Sequence, residues 1–362
     1  VKKRIGILTS GGDCAGLNAI IRAATYAAKQ KGWDMIGIRQ GIHGLLMRPL
    51  HYVDLDYNFT GLGQVLLRMG GTILGTTNKG NPFSFPLADG TIADLSDAFI
   101  EGYHSLKLDA LIGIGGDGSL GILSKLAEKG HINFIGIPKT IDNDIGLTDS
   151  IGFTTAVNVA TEALDRLQPT AASHDRVMIL EVMGRGAGHI ALHAGIAGGA
   201  DVILVPEIPF HPEKVIEKIG KVREQGHNFA LVVVAEAAAS HGSAPSMLVD
   251  KTGKKRYGGI GHVLCDYLAE RMEAEVRVTV LGHVQRGGQP VSRDRILAAC
   301  FGVHAIDLIA QGKFNRMVAW QNRSVMDVSL KEALSSYEDV DIHGSMVKTA
   351  RSLGISFGDD LS

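Results

Sequence analysis

Two short runs set an aspartate among glycines, and a third sets two aspartates around an asparagine. The first is Thr9-Ser10-Gly11-Gly12-Asp13, the second Gly113-Ile114-Gly115-Gly116-Asp117-Gly118-Ser119, the third Lys139-Thr140-Ile141-Asp142-Asn143-Asp144. Glycine lets an anion reach backbone N–H groups, and nearby carboxylates can hold Mg²⁺ or take a proton. Together these are the parts that phosphoryl transfer needs. A single Gly-Gly-Asp is equally a tight turn between a strand and a helix; two of them, with the Asp-Asn-Asp run, point to a phosphate site. The spacing matches neither the dinucleotide G-x-G-x-x-G nor the G-x-x-x-x-G-K-[ST] loop.

The elements around these runs would hold them at strand ends. Arg4-Ile5-Gly6-Ile7-Leu8 precedes the first, ALIGI (110–114) the second and NFIGI (133–137) the third. Short apolar stretches broken by glycine read as buried parallel strands. Gly16-Leu17-Asn18-Ala19-Ile20-Ile21-Arg22 continues the first turn as an amphipathic helix, whose free N-terminal N–H groups favour anions. DMIGI (34–38) is a further strand, Gly70–Gly80 a loop, and helices are predicted over 151–167 and 293–311.

A second strand series follows: RVMILEV (176–182), DVILVP (201–206), FALVVVAE (229–236) and RVTVLG (277–282). It carries a different set of polar residues. Arg176 and Arg277 open strands, Met183-Gly184-Arg185 and His283-Val284-Gln285-Arg286 close them, and Glu236 ends another. Arginine forks bind phosphate oxygens, and a carboxylate accepts from sugar hydroxyls. One region thus offers a glycine cradle with carboxylates, the other arginines, a histidine and a glutamate, as a phosphorylated acceptor facing a phosphoryl donor requires. Residues 238–258 are polar and small with a basic tip, and read as a surface insertion.

The alternation of strands and helices gives an α/β fold of two doubly wound parallel-sheet domains, with the active site expected in the cleft between them. The donor domain is expected at 1–152, completed by about 290–335; the sugar-phosphate domain at 153–289; and a C-terminal tail at 336–362. At 362 residues the chain is long enough for both cores. A net charge of −2 gives no reason to expect nucleic acid or an anionic membrane as partner. No apolar run approaches the roughly 18 residues of a membrane span. Cys14, Cys265 and Cys300 are odd in number and far apart, as expected of reduced thiols in a cytoplasmic protein.

These motifs, joined by GGTILGT (70–76), EVMGR (181–185), AGGAD (197–201), Pro206-Glu207 and LGHVQRGG (281–288), resemble the 6-phosphofructokinase family of ATP- and pyrophosphate-dependent enzymes. The match runs in family order over about 4–310 and is closer to the long bacterial and plant branch. The resemblance implies Mg²⁺-assisted transfer of a phosphoryl group to O1 of fructose 6-phosphate. By it, Asp142 is the base; Thr140 and Arg185 meet the transferring group; and Asp117 and Asp144 hold the metal. Gly11, Gly12, Asn78, Lys79, Gly116, Asp117, Gly118 and Ser119 line the donor. Met183, Gly184 and Glu236 contact the sugar, Arg176, Arg277, His283 and Arg286 bind the 6-phosphate, and Ile141, Val284 and Gln285 are further substrate-binding residues. Some of these residues, usually Arg176 and Arg277, come from a neighbouring subunit, which implies a homo-oligomer, dimer or tetramer, with shared sites.

Donor choice turns on two positions. Gly118 leaves room for a nucleotide's α-phosphate, where pyrophosphate users carry Asp; Lys139 is the residue those users also carry. Exclusion is the more discriminating device, so a nucleotide, ATP first, is the expected donor. A pyrophosphate- or ADP-dependent enzyme and, more remotely, a non-catalytic sensor are the alternatives. Lys79 stands where many relatives have a donor-binding arginine. Tyr26 and Gln225-Gly226-His227-Asn228 replace basic residues of the effector site of short bacterial relatives, in which Arg22 survives.

Overall fold

The computed structural model describes residues 2–249, 253 and 255–360. Its two main sheets use twelve strands. They are β1 (Arg4–Thr9), β2 (Asp34–Ile38), β3 (Tyr52–Leu55), β4 (Ala110–Gly115), β5 (Phe134–Thr140), β6 (Ile151–Gly152), β7 (Val177–Val182), β8 (Val202–Leu204), β9 (Ala230–Ala235), β10 (Val276–Val280), β11 (Arg316–Gln321) and β12 (Ser324–Ser329). The chain divides into two compact units. One comprises 1–140, 145–154 and 286–337; the other comprises 141–144, 155–285 and 338–362. No described helix is long and apolar enough to cross a membrane.

In the first unit the sheet runs β12-β11-β5-β4-β1-β2-β3, with β6 beside β5. β2, β1, β4, β5, β6 and β11 pair in parallel. The edges β3 and β12 add antiparallel strands to this otherwise parallel sheet. β11 and β12 form a hairpin through Asn322 and Arg323, both with positive φ (49° and 62°), as a two-residue turn between right-twisted strands requires. β1, β4 and β5 are apolar on both faces because helices cover them. α1 (Leu17–Gln30) and α2 (Asp117–Gly130) follow β1 and β4. After β1 the chain adds β2 on one side; after β4 it adds β5 on the other. The C-terminal ends of β1 and β4 therefore flank the switch point, where open α/β sheets bind ligands.

The second unit has a four-stranded, all-parallel sheet in the order β8-β9-β7-β10. Its core joins Val177, Ile179, Val202, Val232 and Val234 to Phe210, Ile219 and Leu264. A helix over Ile260–Ala269 packs on it, held at its start by the buried Glu181 carboxylate, which accepts from Gly259 N (3.0 Å) and Gly261 N (2.7 Å). The last stretch, expected as a tail, belongs to this unit: Val347, Ala350 and Phe357 are buried, and Ser356 bridges to Val202 at the sheet edge. Within the expected surface insertion, Met247–Val249 and Lys255–Tyr257 form an exposed antiparallel hairpin. Part of its basic tip, Lys251 and Lys254, lies outside the described residues.

Candidate active site

The first unit supplies backbone. β1 ends at Thr9, and Ser10 N donates to Ile114 O of β4 (2.9 Å). Gly11 then turns with φ +85°, a conformation costly for other residues, and its N–H donates to Thr77 O (2.9 Å). Thr76 Oγ1 donates to Gly11 O (2.7 Å) and Thr9 Oγ1 to Gly75 O (2.8 Å), so the 70–80 loop is tied onto this turn. Asn78 and Lys79 lie exposed on that loop. A Cβ on Gly11 would lie 2.9 Å from Ser119 Oγ, and one on Gly12 would lie 2.7 Å from the Arg286 guanidinium. Both glycine turns are thus closely packed where they meet.

After β4, Gly116 precedes the first residue of α2, exposed Asp117, and Gly118 is exposed beside it. Nothing lies within 4 Å of where a Gly118 side chain would begin. The free N–H groups at this end of α2 and its positive dipole end suit an anion. Lys139, near the end of β5, is buried, and its ammonium donates to Gly12 O. Cys14, next to this turn, is buried, and burial pushes its thiol up to about 12, so it is no nucleophile at neutral pH.

The second unit supplies side chains. Asp142 and Asp144 are each about 5% exposed, and Ile141 is buried between Asp142 and the end of β5. Arg185 Nε lies 3.5 Å from Asp142 Oδ2, with the arginine side chain 58% exposed. Arg185 follows β7 in a turn where Gly184 has φ 143° and Arg185 itself φ 51°. A left-handed non-glycine residue costs about 1–2 kcal/mol, so neighbouring bonds must hold it. Arg185 N donates to Glu236 Oε1 (3.0 Å), just past β9, and Met183 N to Gln285 Oε1 (2.8 Å), past β10. Burial pushes the Glu236 carboxyl above its ordinary value; backbone bonds from Arg185 and Gly184 oppose this, and the charges of Asp142 and Glu181 add to it.

Not all expected residues gather here. Gln285, expected among the substrate-binding residues, is only 1% exposed and faces the interior. His283 and Val284 are exposed beside it, whereas Arg286 belongs with the first unit, against Gly12. Arg176 and Arg277 stand at the opening ends of β7 and β10, while Met183 and Gln285 follow their closing ends. A six-residue strand rises about 20 Å at ~3.3 Å per residue, so within one chain the two arginines do not join the others. Both pair with Glu275: Arg176 Nε at 2.5 Å from Oε2, and Arg277 through Oε1.

Against this geometry the similarities are specific. The phosphofructokinase family model matches residues 4–309. ATP-dependent 6-phosphofructokinase 1 of Synechocystis sp. is 56% identical over 365 residues, covering 99% of each chain. The chain belongs to the phosphofructokinase family. The enzyme of the same name from Nostoc sp. is 57% identical over 360 residues, again covering 99% of each. Among solved structures, phosphofructokinase from Saccharomyces cerevisiae is 28% identical with a TM-score of 0.78; it covers 97% of this chain, which spans 46% of the yeast chain. A pyrophosphate-dependent phosphofructokinase from Marinobacter aquaeolei shares the fold, with a TM-score of 0.79 at 24% identity and coverage of 98% and 92%.

Among the described residues no group of three His, Cys, Asp or Glu side chains is arranged to hold a metal. A phosphofructokinase that uses Mg²⁺ does not need one, because this ion keeps several waters and binds through one or two carboxylates plus substrate phosphates. Asp117, exposed at a helix start beside open space over Gly118, fits that mode. The sequence reading gave no role to three acidic residues: Glu275, which it did not single out; and, within quoted motifs, Glu181 and Glu207, whose Oε1 accepts from Gly188 N and Val340 N, both at 2.9 Å. Glu275 had a signal, since two residues before Arg277 puts both side chains on one face of an extended segment. Arg22 lies 4.4 Å over the Tyr26 ring and donates to Gln64 Oε1 (2.9 Å).

Proposed function

We propose that this protein transfers the terminal phosphoryl group of ATP to O1 of fructose 6-phosphate, forming the O1–P bond, breaking the bond to the β-phosphate oxygen and giving fructose 1,6-bisphosphate and ADP. The full-length likeness to ATP-dependent 6-phosphofructokinases carries this reading. Open space at Gly118 supports a nucleotide donor, because an α-phosphate can pass there. Lys139, bonded to the Gly12 carbonyl, reads as a tie and a counter-charge for the glycine turn.

Asp142 takes the hydroxyl proton. In a loose transition state that proton can leave late, so a carboxylate suffices as base. Arg185 and Thr140 neutralise and orient the moving group, with backbone N–H groups of Gly12 and Gly116–Ser119 on the donor phosphates, while Gly11, its N–H bonded to Thr77 O, shapes the turn. Asp117 and Asp144 would hold Mg²⁺, which would supply further charge neutralisation on the phosphates. Met183, Gly184 and Glu236 meet the sugar.

Arg176 and Arg277 act from a second copy of the chain in a homo-oligomer, as their place at the opening ends of β7 and β10 supports. Three free cysteines suit the cytoplasm. The deciding assay follows turnover of fructose 6-phosphate with ATP, ADP and pyrophosphate at equal Mg²⁺. ATP should give the highest kcat/KM; turnover with pyrophosphate alone, or with no donor, overturns the proposal.

A further inference from the structure

We infer that Gln285 is a positioning residue, not a substrate ligand: it holds the Met183–Arg185 turn in the shape that aims Arg185 at Asp142. The inference rests on the phosphoryl transfer proposed above, in which Arg185 meets the transferring group.

The sheet order puts β7 between β9 and β10. Both neighbours continue their ladders to its last residues, Glu236 N donating to Val182 O (2.9 Å) and Leu281 N to Glu181 O (3.1 Å). Beyond Val182 the strand turns away, and the N–H groups of Met183 and Arg185 lose strand partners. Each is taken by one side chain, from opposite flanks: Gln285 Oε1 on Met183 N, Glu236 Oε1 on Arg185 N. The positive φ of Gly184 lies between these two bonds and that of Arg185 directly after the second. The turn is closed by Ala187 N donating to Gly184 O (3.1 Å). The amide oxygen is the only atom of the Gln285 side chain that can accept from Met183 N–H, which fixes the orientation of the group. Its Nε2 is then buried with no hydrogen-bond partner. With Gln285 1% exposed, a sugar phosphate has no surface of it to touch.

The test is a double-mutant cycle of Gln285→Met and Arg185→Ala, with hydrogen exchange at the Met183–Arg185 segment. Gln285→Met should lower kcat about 10- to 100-fold, the size of effect that a small misplacement of a reacting group produces, with KM for ATP unchanged. In the Arg185→Ala background the same change should cost less than about twofold, because residues acting through one another are not additive. Exchange at Met183 should quicken in Gln285→Met whether or not activity is measured. Should that variant not fold, Gln285→Asn, one methylene too short for the Met183 N–H, must show the same pattern. A wild-type kcat, an equal loss in both backgrounds, a raised KM for fructose 6-phosphate with kcat intact, or unchanged exchange each overturns the inference. A wild-type enzyme without turnover sinks the reaction instead, and exchange then still tests the clamp.

Discussion

In the first unit, the groups presented at the strand ends are mostly backbone: Gly11, Gly12, Gly116 and the open end of α2. In the second they are side chains, Asp142, Arg185 and Glu236, each held by a neighbour. A backbone cradle grips any phosphate chain, so its selectivity must come from what stands around it. A set of charged side chains is selective in itself but must be held in place against rotamer freedom and strain. The first half should therefore respond to changes of shape and the second to changes of charge and support. Four substitutions probe that difference.

The largest effect is expected at Asp142. Asp142→Ser keeps a small polar side chain but removes the base, and general-base help is typically worth about 10²–10⁴-fold. Turnover should fall at least about a hundredfold with KM for fructose 6-phosphate little changed, measured by coupled assay. Near-normal turnover would mean that the second unit's charges bind substrate without serving the chemistry.

Arg277→Ala comes next. Charge-assisted bonds to a phosphate are worth about 1.5–3 kcal/mol, so KM for fructose 6-phosphate should rise about 10- to 100-fold while KM for ATP stays put. Hybrids of Arg277→Ala and Asp142→Ser subunits should recover part of the native activity, since one composite site would receive an intact residue from each copy. Hybrids shown to have formed, yet inactive, would confine the site to one chain.

The contrast also explains what could be read from the sequence. The strands bearing the motifs were legible because parallel strands covered on both faces are unbroken apolar runs, such as ALIGI and LVVVA. The β11–β12 hairpin was not, for its half-exposed strands mix polar and apolar residues and its turn uses Asn322-Arg323 without glycine. The stretch expected as a tail, 336–362, looked like one because the residues it buries are few and spread among polar ones. In the first unit the glycine runs name their own chemistry. In the second, the support of Arg185 by Gln285 and Glu236 depends on β7 lying between β9 and β10, which spacing along the chain does not encode. Likewise the motif HVQRGG placed Gln285 with its exposed neighbours, although one residue in a short helical turn can face inward while the next faces out.

Gly118→Asp tests shape selection in the first unit. The substitution fills open space at the start of α2 with a carboxylate facing the donor phosphates. KM for ATP should rise on the order of tenfold, about 1.4 kcal/mol, with KM for fructose 6-phosphate unchanged. Unaltered ATP use would show that the space over Gly118 is not the nucleotide's path and would return weight to Lys139 as the guide to the donor.

The smallest effect is one of stability, at Glu236. Burial raises this carboxyl above its ordinary value, so the folded chain binds its proton more tightly than the unfolded chain does. Stability therefore falls as pH rises from the ordinary glutamate value through the raised one, and stays lower above it. Glu236→Gln keeps an oxygen to accept from Arg185 N–H but carries no charge to bury. Its Tm should match the wild type below the ordinary glutamate range and exceed it at neutral pH, the gap opening across that window. Activity should fall at the same time, since the amide also alters the contact proposed with the sugar. A Tm difference independent of pH would mean that the Glu236 charge costs the fold nothing, and that the hydrogen bonds from Arg185 and Gly184 outweigh its burial.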